Sequence, residues 1–123
     1  MVTGATGFVG AALVQRLRTE GYIVRSATRT APVSSDVEYI AVGDTDADTD
    51  WKRALAEVDR VVHLAGLVKG DEAELMRVNC DATLALADAA ATGNINSLFF
   101  FLPLQFTEDL GLATSVRYYR PSQ

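Results

Sequence analysis

MVTGATGFVG, residues 1–10, joins the end of a strand to the start of a helix through three glycines spaced three residues apart. Gly4 allows a tight turn, Gly7 lets a pyrophosphate approach the backbone, and Gly10 lets the helix pack closely on the sheet. The alternative interpretation is a glycine-rich turn at a helix start that binds nothing. The strand and the amphipathic helix on either side favour a phosphate-binding loop.

The helix after this loop is predicted over Gly7–Thr19, with Gly21 as the signal for its end. Its inward face is predicted to carry Val9, Leu13 and Leu17. The free N–H groups around Phe8 and Val9 lie at the helix N-terminus, where the helix dipole favours an anion. We therefore expect these two amides to face the phosphates.

Further along the chain, apolar segments alternate with helical patterns, which is typical of βαβ units around a parallel sheet. The predicted strands are Met1–Thr3, Tyr22–Thr28, Val37–Val42, Arg60–Ala65 and Leu98–Leu102. The other predicted helices are Asp50–Val58, with Trp51, Leu55 and Val58 inward, and Glu72–Thr92. The pattern predicts an α/β fold, a Rossmann-type, doubly wound parallel sheet.

Composition excludes several classes of protein. The chain has 123 residues, which predicts one domain. Its net charge of −5 disfavours electrostatic binding to nucleic acid, so we do not expect such a partner. One cysteine, Cys80, excludes an intramolecular disulfide, and no apolar run reaches the ~20 residues of a membrane span. We expect a cytoplasmic location and no metal. A calcium loop at residues 46–57 is disfavoured because Trp51 stands where such a loop needs glycine.

Four motifs occur in the order and spacing of one family: TGATGFVG at residues 3–10, VGD at 42–44, VVHLAG at 61–66 and VN at 78–79. On these motifs the chain resembles the NAD(P)-dependent epimerase/dehydratase family, the extended short-chain dehydrogenases/reductases. Its nearest likeness is to nucleotide-sugar epimerases of the UDP-glucose 4-epimerase type. The resemblance covers about residues 1–102.

The resemblance implies roles for individual residues in binding a dinucleotide. Asp44 would accept a hydrogen bond from the adenine amino group, with Thr45 beside the ring, and Asn79 would support the active site from behind. Cofactor-binding residues on this interpretation are Gly4, Gly7, Phe8, Val9, Gly10, Thr28, Arg29, Asp44, Thr45, Leu64, Ala65, Gly66 and Asn79. The alternatives are a solvated loop carboxylate for Asp44 and a surface helix position for Asn79. His63 is interpreted as structural.

The end of the second predicted strand decides between NAD and NADP. An NAD enzyme places an acid there to bind the ribose hydroxyls, whereas this chain has Thr28 followed by Arg29. Because a guanidinium can pair with a 2′-phosphate, we expect NADP, with NAD as the alternative. Arg25 is a weaker candidate, because strand alternation points it elsewhere. Both arginines could also be simply solvated.

The chain lacks the family's proton-transfer pair, a tyrosine with a lysine four residues later. The residues four positions after its four tyrosines are Ser26, Gly43, Ser122 and Gln123. The phenolate of the family is a base at neutral pH because a nearby lysine and the cofactor lower its pKa. We therefore expect no catalytic residue and no turnover in this chain.

Both ends depart from the pattern of a complete domain. The first strand has three residues at best, and Pro103–Gln123 carries no periodic pattern. We expect a truncated Rossmann domain over residues 1–102 and an irregular tail over 103–123, and we hypothesise a frameshift near residues 95–103. The full-length parent would act on a nucleotide sugar, with a homodimer left open. The alternatives are a non-catalytic NADP-binding sensor and a non-functional gene remnant.

Overall fold

The computed structural model describes residues 1–32 and 37–101 and the backbone of the strand at 117–119. Its strands are β1 (Val2–Thr3), β2 (Arg25–Thr28), β3 (Glu38–Ala41), β4 (Arg60–His63), β5 (Ser97–Phe100) and β6 (Arg117–Tyr119). Its helices are α1 (Phe8–Thr19), α2 (Trp51–Ala54), α3 (Glu72–Leu75) and α4 (Ala82–Thr92), and a π-helical segment, Met76–Asp81, joins α3 to α4.

The strands form one sheet in the order β3-β2-β1-β4-β5-β6. The first five strands are parallel, and β6 pairs antiparallel with β5. In a parallel sheet all carboxyl ends lie at the same edge, and the strand order reverses direction at β1, between β2 and β4. The predicted α/β fold with a Rossmann-type parallel sheet is confirmed.

Helices cover both faces of the sheet. On one face Met1 packs with Trp51 of α2, Leu86 of α4 and Leu98 of β5. On the other face Val2 packs with Val14 of α1 and with half-buried Leu13 and Leu17. Successive residues of β1 thus face opposite layers, as strand geometry requires.

Two predicted inward faces have different outcomes. Trp51, Leu55 and Val58 are buried, as predicted. Val9 is not, because 62% of its surface is exposed. It lies in the first turn of α1, at the carboxyl edge of the sheet, and Gly10 rather than Val9 is the buried residue of that turn. The prediction that Val9 faces the core is wrong.

The second strand begins at Arg25 rather than at Tyr22. Its register explains the difference, because Val2 pairs with Ser26 and Thr3 with Ala27. Residues 22–24 therefore lie beyond the start of β1 and have no ladder partner there. The ladder between β2 and β3 also begins at Arg25, which pairs with Glu38.

The helix predicted at Asp50–Val58 ends at Ala54, because the chain must turn back to start β4 at Arg60. Glu57 takes part in this turn with a left-handed φ of 61°. The long predicted helix at Glu72–Thr92 is present, but it is interrupted by the π-helical segment. Its buried residues are Asn79, Ala82, Leu86 and Ala90.

The predicted irregular tail lies mostly outside the described residues, whereas residues 95–101 of the proposed frameshift region lie within them. Three residues of the tail, Arg117–Tyr119, form strand β6, which the sequence pattern did not predict. Among the helices within residues 1–32 and 37–101, none combines the length and the apolar character that a membrane span needs.

Candidate functional site

The glycine loop connects β1 to α1 and lies against the end of β4. Gly4 has a φ of +63°, and a Cβ there would lie 2.8 Å from the backbone nitrogen of Ala65. A Cβ at Gly10 would lie 2.0 Å from the carbonyl oxygen of Gly4. The turn at Gly4 is therefore the tight one predicted, and the two glycines allow three backbone segments to meet.

Gly7 differs from its neighbours because little surrounds it. A Cβ there would meet only the carbonyl oxygen of Gly4, at 3.3 Å, and the residue is exposed with an ordinary φ of −73°. A side chain at Gly7 would therefore point into the open space in front of the loop. This is the position where the fingerprint requires a ligand to approach the backbone.

The N-terminus of α1 faces the same space. Gly7 is its N-cap and provides no side-chain hydrogen bond, and no acidic residue occupies the first turn. Arg16 and Arg18 lie in the last turn, where cations complement the helix dipole. The side chains of Phe8 and Val9 are exposed, 96% and 62% respectively. The positive end of the dipole is thus left for an external anion.

A buried hydroxyl and imidazole connect this loop to β4 and α4. Thr3 Oγ1 accepts hydrogen bonds from the backbone N–H groups of Leu64 and Ala65, at 3.0 and 3.1 Å. Since both lone pairs are then used, its own proton must be donated to His63 Nδ1, 2.7 Å away. His63 Nε2 must therefore carry the ring proton, which it donates to Thr83 Oγ1 at 3.0 Å.

His63 is held neutral in this network. Burial lowers the pKa of His63 from 6.5 to about 4. Its ring stands edge-on to Trp51, with the ring centroids 6.4 Å apart. A second ring proton would face the Thr3 hydroxyl proton instead of a lone pair. These contacts give His63 a bracing role, in line with the structural interpretation.

Asn79 holds the loop that follows β4. Its side-chain amide makes two hydrogen bonds of 2.8 Å with the backbone of Leu67, donating to the carbonyl oxygen and accepting from the N–H. The residue is 5% exposed, so the alternative of a surface helix position is wrong. A Cβ at Gly66 would lie 2.9 Å from Asn79 Oδ1, so this loop and the π-helical segment are in close contact.

Arg29 and Asp44 lie side by side at the carboxyl edge. The ladder continues past β2 and β3, because Val42 N–H bonds to the Thr28 carbonyl and Gly43 N–H to the Arg29 carbonyl. Arg29 Nε then pairs with Asp44 Oδ1 at 3.1 Å, and more than 70% of each side chain is exposed. Both side chains therefore remain solvated while they pair, and the alternatives of a solvated Asp44 and a solvated Arg29 stay open. Thr28 is buried, and its hydroxyl lies 3.5 Å from the Ile40 carbonyl.

Arg25 is the first residue of β2 and lies at the amino-terminal end of the strand, away from the glycine loop. Its guanidinium pairs with Glu38 at 2.7 Å and donates to the carbonyl oxygens of Ala54 and Ala56 at 2.8 and 2.7 Å. It therefore fixes the end of α2 to the amino-terminal edge of the sheet. It takes no part in the glycine-loop site.

The acidic run at residues 46–57 has structural uses. Asp50 caps α2 by accepting from the Arg53 N–H at 3.0 Å, as predicted. Asp46 accepts from the Asp48 N–H at 2.8 Å. Within residues 1–32 and 37–101, no group of three or more His, Cys, Asp or Glu side chains lies close enough to hold a metal ion.

The structure therefore brings most of the predicted site residues to one edge, at the carboxyl ends of β1 to β4. Asn79 reaches that edge from the π-helical segment, and Thr45 is half-buried in the loop after β3. Sequence reasoning missed the roles of Thr3 and Thr83. These roles could have been inferred from the rule that buried polar side chains require hydrogen-bond partners. Tyr22 lies at the other edge of the sheet, among the residues of an amino-terminal cavity.

Comparison with known proteins finds related sequences and folds. The profile of the NAD dependent epimerase/dehydratase family matches residues 1–102. A UDP-glucose 4-epimerase of Vibrio cholerae is 36% identical over 108 residues, which is 81% of this chain and 33% of that protein. The chain thus spans about a third of the length of this relative.

Solved structures resemble the fold as well. Uronate dehydrogenase from Agrobacterium tumefaciens, in a mutant form complexed with NAD, matches with a TM-score of 0.68 and 26% identity, over 81% of this chain and 38% of that one. MoeE5 in complex with UDP-glucose and NAD matches with a TM-score of 0.69 and 28% identity, over 80% and 34% of the two chains.

Proposed function

The chain belongs to the NAD-dependent epimerase/dehydratase family, and from that premise we propose that residues 1–102 bind the dinucleotide cofactor of a nucleotide-sugar epimerase, dehydratase or reductase. The observation that carries this proposal is the open glycine loop. Gly4 and Gly10 hold the loop against β4, Gly7 is bare, and the N-terminus of α1 has no side-chain cap. These are the features that a pyrophosphate requires of a protein backbone.

Each part of the edge contributes to binding in a different way. The N–H groups of Phe8 and Val9 would donate to the pyrophosphate. Asp44 and Thr45 would lie at the adenine, and residues 64–66 would line the cofactor where β4 ends. A bound nicotinamide supplies hydride transfer to or from a sugar carbon. The chain's own residues bind and orient the dinucleotide.

We propose NADP as the cofactor, with NAD as the alternative. The end of β2 carries no carboxylate, since Thr28 is buried and uncharged, and the Arg29 guanidinium is exposed beside it. The pairing of Arg29 with Asp44 has two effects on a 2′-phosphate. It holds the guanidinium at the edge, and it places a negative charge nearby. The preference for NADP is therefore expected to be moderate.

We propose further that the chain has no turnover of its own. No tyrosine in the sequence is followed four residues later by a lysine, so the family's base is missing. A second candidate function is a non-catalytic module that binds NADP in the cytoplasm. A remnant of a frameshifted gene is a third, and the encoding DNA tests it. A family-like Ser-Ser-x-x-Tyr-Gly reading in a second frame near residues 95–103 would support the frameshift, and its absence would contradict it.

Calorimetric titration of the chain with NADP and with NAD tests the proposed function. We expect one site for both, with NADP bound more tightly, and no conversion of UDP-glucose in the presence of either cofactor. Folded protein that releases no heat with either dinucleotide would contradict the binding proposal. Measurable cofactor-dependent turnover would contradict only the proposed inactivity.

A further inference from the structure

Thr83 is a half-buried threonine near the start of α4. Its hydroxyl oxygen lies 3.0 Å from Nε2 of His63, the last residue of β4. Four residues earlier along the same helical stretch, the Asn79 side chain bonds to the backbone of Leu67. Two polar side chains of this stretch therefore contact the end of β4 and the loop that follows it.

The directions of the hydrogen bonds in this network follow from the lone pairs of Thr3. Thr3 Oγ1 accepts from the backbone N–H groups of Leu64 and Ala65, so its own proton is donated to His63 Nδ1. His63 must then carry its proton on Nε2, and that buried N–H needs an acceptor. The Thr83 hydroxyl is the acceptor that lies in front of it.

Only one tautomer of the His63 ring keeps every bond of the network. The ring carries a single proton at neutral pH, because burial lowers its pKa to about 4. A proton on Nδ1 instead of Nε2 would be donated to Thr3 Oγ1. The two lone pairs of that oxygen could then accept from only one of the two backbone N–H groups. The tautomer therefore decides whether both Leu64 and Ala65 are held.

The peptide groups that Thr3 holds also support the glycine loop. A Cβ at Gly4 would lie 2.8 Å from the backbone nitrogen of Ala65 and 2.8 Å from the carbonyl carbon of Leu64. A Cβ at Gly10 would lie 2.0 Å from the carbonyl oxygen of Gly4. The segment after β4, the turn at Gly4 and the start of α1 are thus closely packed, and a displacement of the first would shift the other two.

We propose that Thr83 is a positioning residue for dinucleotide binding, which acts by keeping the proton of His63 on Nε2. Thr83 acts through other residues rather than on the cofactor itself. Its hydroxyl orders the network through His63 to Thr3, and Thr3 holds the two backbone amides against the glycine loop. The inference rests on the proposed dinucleotide binding and adds to it a requirement for a hydroxyl at position 83.

Variants of the whole, untagged chain test this requirement. Thr83→Val replaces the hydroxyl with a methyl group of similar size, whereas Thr83→Ser keeps the hydroxyl. Thr92→Val is the matched control in the same helix, because the Thr92 hydroxyl donates to the carbonyl oxygens of Asp88 and Ala89 within α4. Thr83→Ala also lacks the hydroxyl and takes the place of Thr83→Val if that protein does not fold. Failure of both to fold would show a requirement of the fold alone and would overturn the proposal.

The ring nitrogens of His63 give a readout that needs no cofactor. His63 is the only histidine of the sequence, so the nitrogen NMR spectrum of histidine rings reports this residue alone. We expect the proton on Nε2 in the wild-type, Thr83→Ser and Thr92→Val proteins. In Thr83→Val we expect a population with the proton on Nδ1, and faster amide hydrogen exchange at Leu64 and Ala65. A wild-type ring protonated on Nδ1, or an unchanged ring in Thr83→Val, would overturn the proposal.

Calorimetric titration with NADP measures the effect on binding. We expect Thr83→Val to bind NADP about five- to tenfold more weakly than the wild-type protein, because the amides that support the loop are less firmly held. Thr83→Ser should restore the affinity, and Thr92→Val should leave it unchanged. Equal affinities in all of these proteins would overturn this role and leave the proposed function intact. A wild-type protein that binds neither NADP nor NAD would overturn the proposed function, and this role with it.

Discussion

Gly7 is the residue at which binding and folding can be separated. A Cβ at Gly4 or Gly10 would lie within 3 Å of backbone atoms, whereas the space before Gly7 is open. The fold does not require glycine at position 7, so the requirement for glycine there comes from a ligand that approaches the backbone. The three glycines of one motif therefore have different sensitivities to substitution.

Replacing Gly7 with valine should weaken NADP binding by about a hundredfold or more, because the side chain occupies the place where phosphate meets backbone N–H groups. The midpoint of thermal unfolding should change little. The matched control is Gly10→Ala, whose Cβ would lie 2.0 Å from the Gly4 carbonyl oxygen. That variant should lose stability, by about 1–3 kcal/mol. Titration calorimetry and thermal unfolding measure both, and unchanged NADP affinity in a folded Gly7→Val protein would contradict the site.

The pair of Arg29 and Asp44 provides the test of cofactor choice. Arg29→Ala should weaken NADP by about ten- to a hundredfold and leave NAD nearly unchanged, since only NADP carries the 2′-phosphate. Asp44→Asn is the matched variant at the other side of the pair. Its amide oxygen can still accept from the adenine amino group, so the loss of the negative charge should shift the preference further toward NADP relative to NAD. Equal losses for both dinucleotides in Arg29→Ala would assign Arg29 a structural role instead.

His63 should make stability depend on pH. Its folded pKa of about 4 lies below its usual 6.5, so between these values the unfolded state takes up a proton that the folded state refuses. The contribution is present above pH 6.5 and is lost as pH falls toward 4, by about 3 kcal/mol in total. Urea unfolding at pH 7, 6 and 5 measures the slope. His63→Gln should flatten it, and an equal slope in both proteins would show that other groups are responsible.

At the scale of elements, the helix between Glu72 and Thr92 shows how an irregular turn serves the site. A capping box starts α3, in which Asp71 accepts from the Glu74 N–H and Glu74 accepts from the Asp71 N–H. The π-helical segment then turns the amide of Asn79 onto the loop after β4. The presence of this helix and its first residue can be predicted from sequence periodicity and capping. The π-helical segment has no such sequence pattern, because it depends on what the helix packs against.

Replacing Asn79 with alanine should leave two backbone groups of Leu67 without their partner and cost about 2–3 kcal/mol of folding free energy. Binding of the dinucleotide should weaken too, since Gly66 is held by the same contact. Asp81→Asn, at an exposed position of the same segment, is the control and should change neither quantity. Urea unfolding and calorimetry measure the two effects. An Asn79→Ala protein with normal stability and affinity would contradict the positioning role.

At the scale of the whole molecule, the sequence predicts the sheet but not all of its limits. The alternation of strands and helices, the glycine turn and the burial of Trp51 follow from local pattern. The late start of β2 at Arg25 does not, because it depends on which residues β1 offers across the sheet. The contacts of Thr3 with His63 and of Arg29 with Asp44 are also absent from local pattern, since they join residues far apart in the chain.

The chain without ligand should have a low midpoint of thermal unfolding, and NADP should raise that midpoint. A central strand of two residues leaves ladder positions of its neighbours without partners, and each buried unpaired backbone group costs about 1–3 kcal/mol. Total stability is only about 5–15 kcal/mol. Thermal unfolding of residues 1–123 with and without NADP measures both effects. A high, cooperative transition that NADP does not move would contradict the prediction.

The narrow contact of β1 with its neighbours has a consequence for local motion. β2 with β3, and β4 with β5, are each joined by four residue pairs, but β1 joins these two halves through two pairs on each side. The weakest seam of the sheet thus runs along its middle, bridged by the contact between Thr3 and His63. Sub-global opening should start at this seam and carry the glycine loop with it. A dinucleotide that binds to both halves of the sheet would then stabilise the closed state of this seam. Amide hydrogen exchange on both sides of β1 should therefore slow together when the dinucleotide binds.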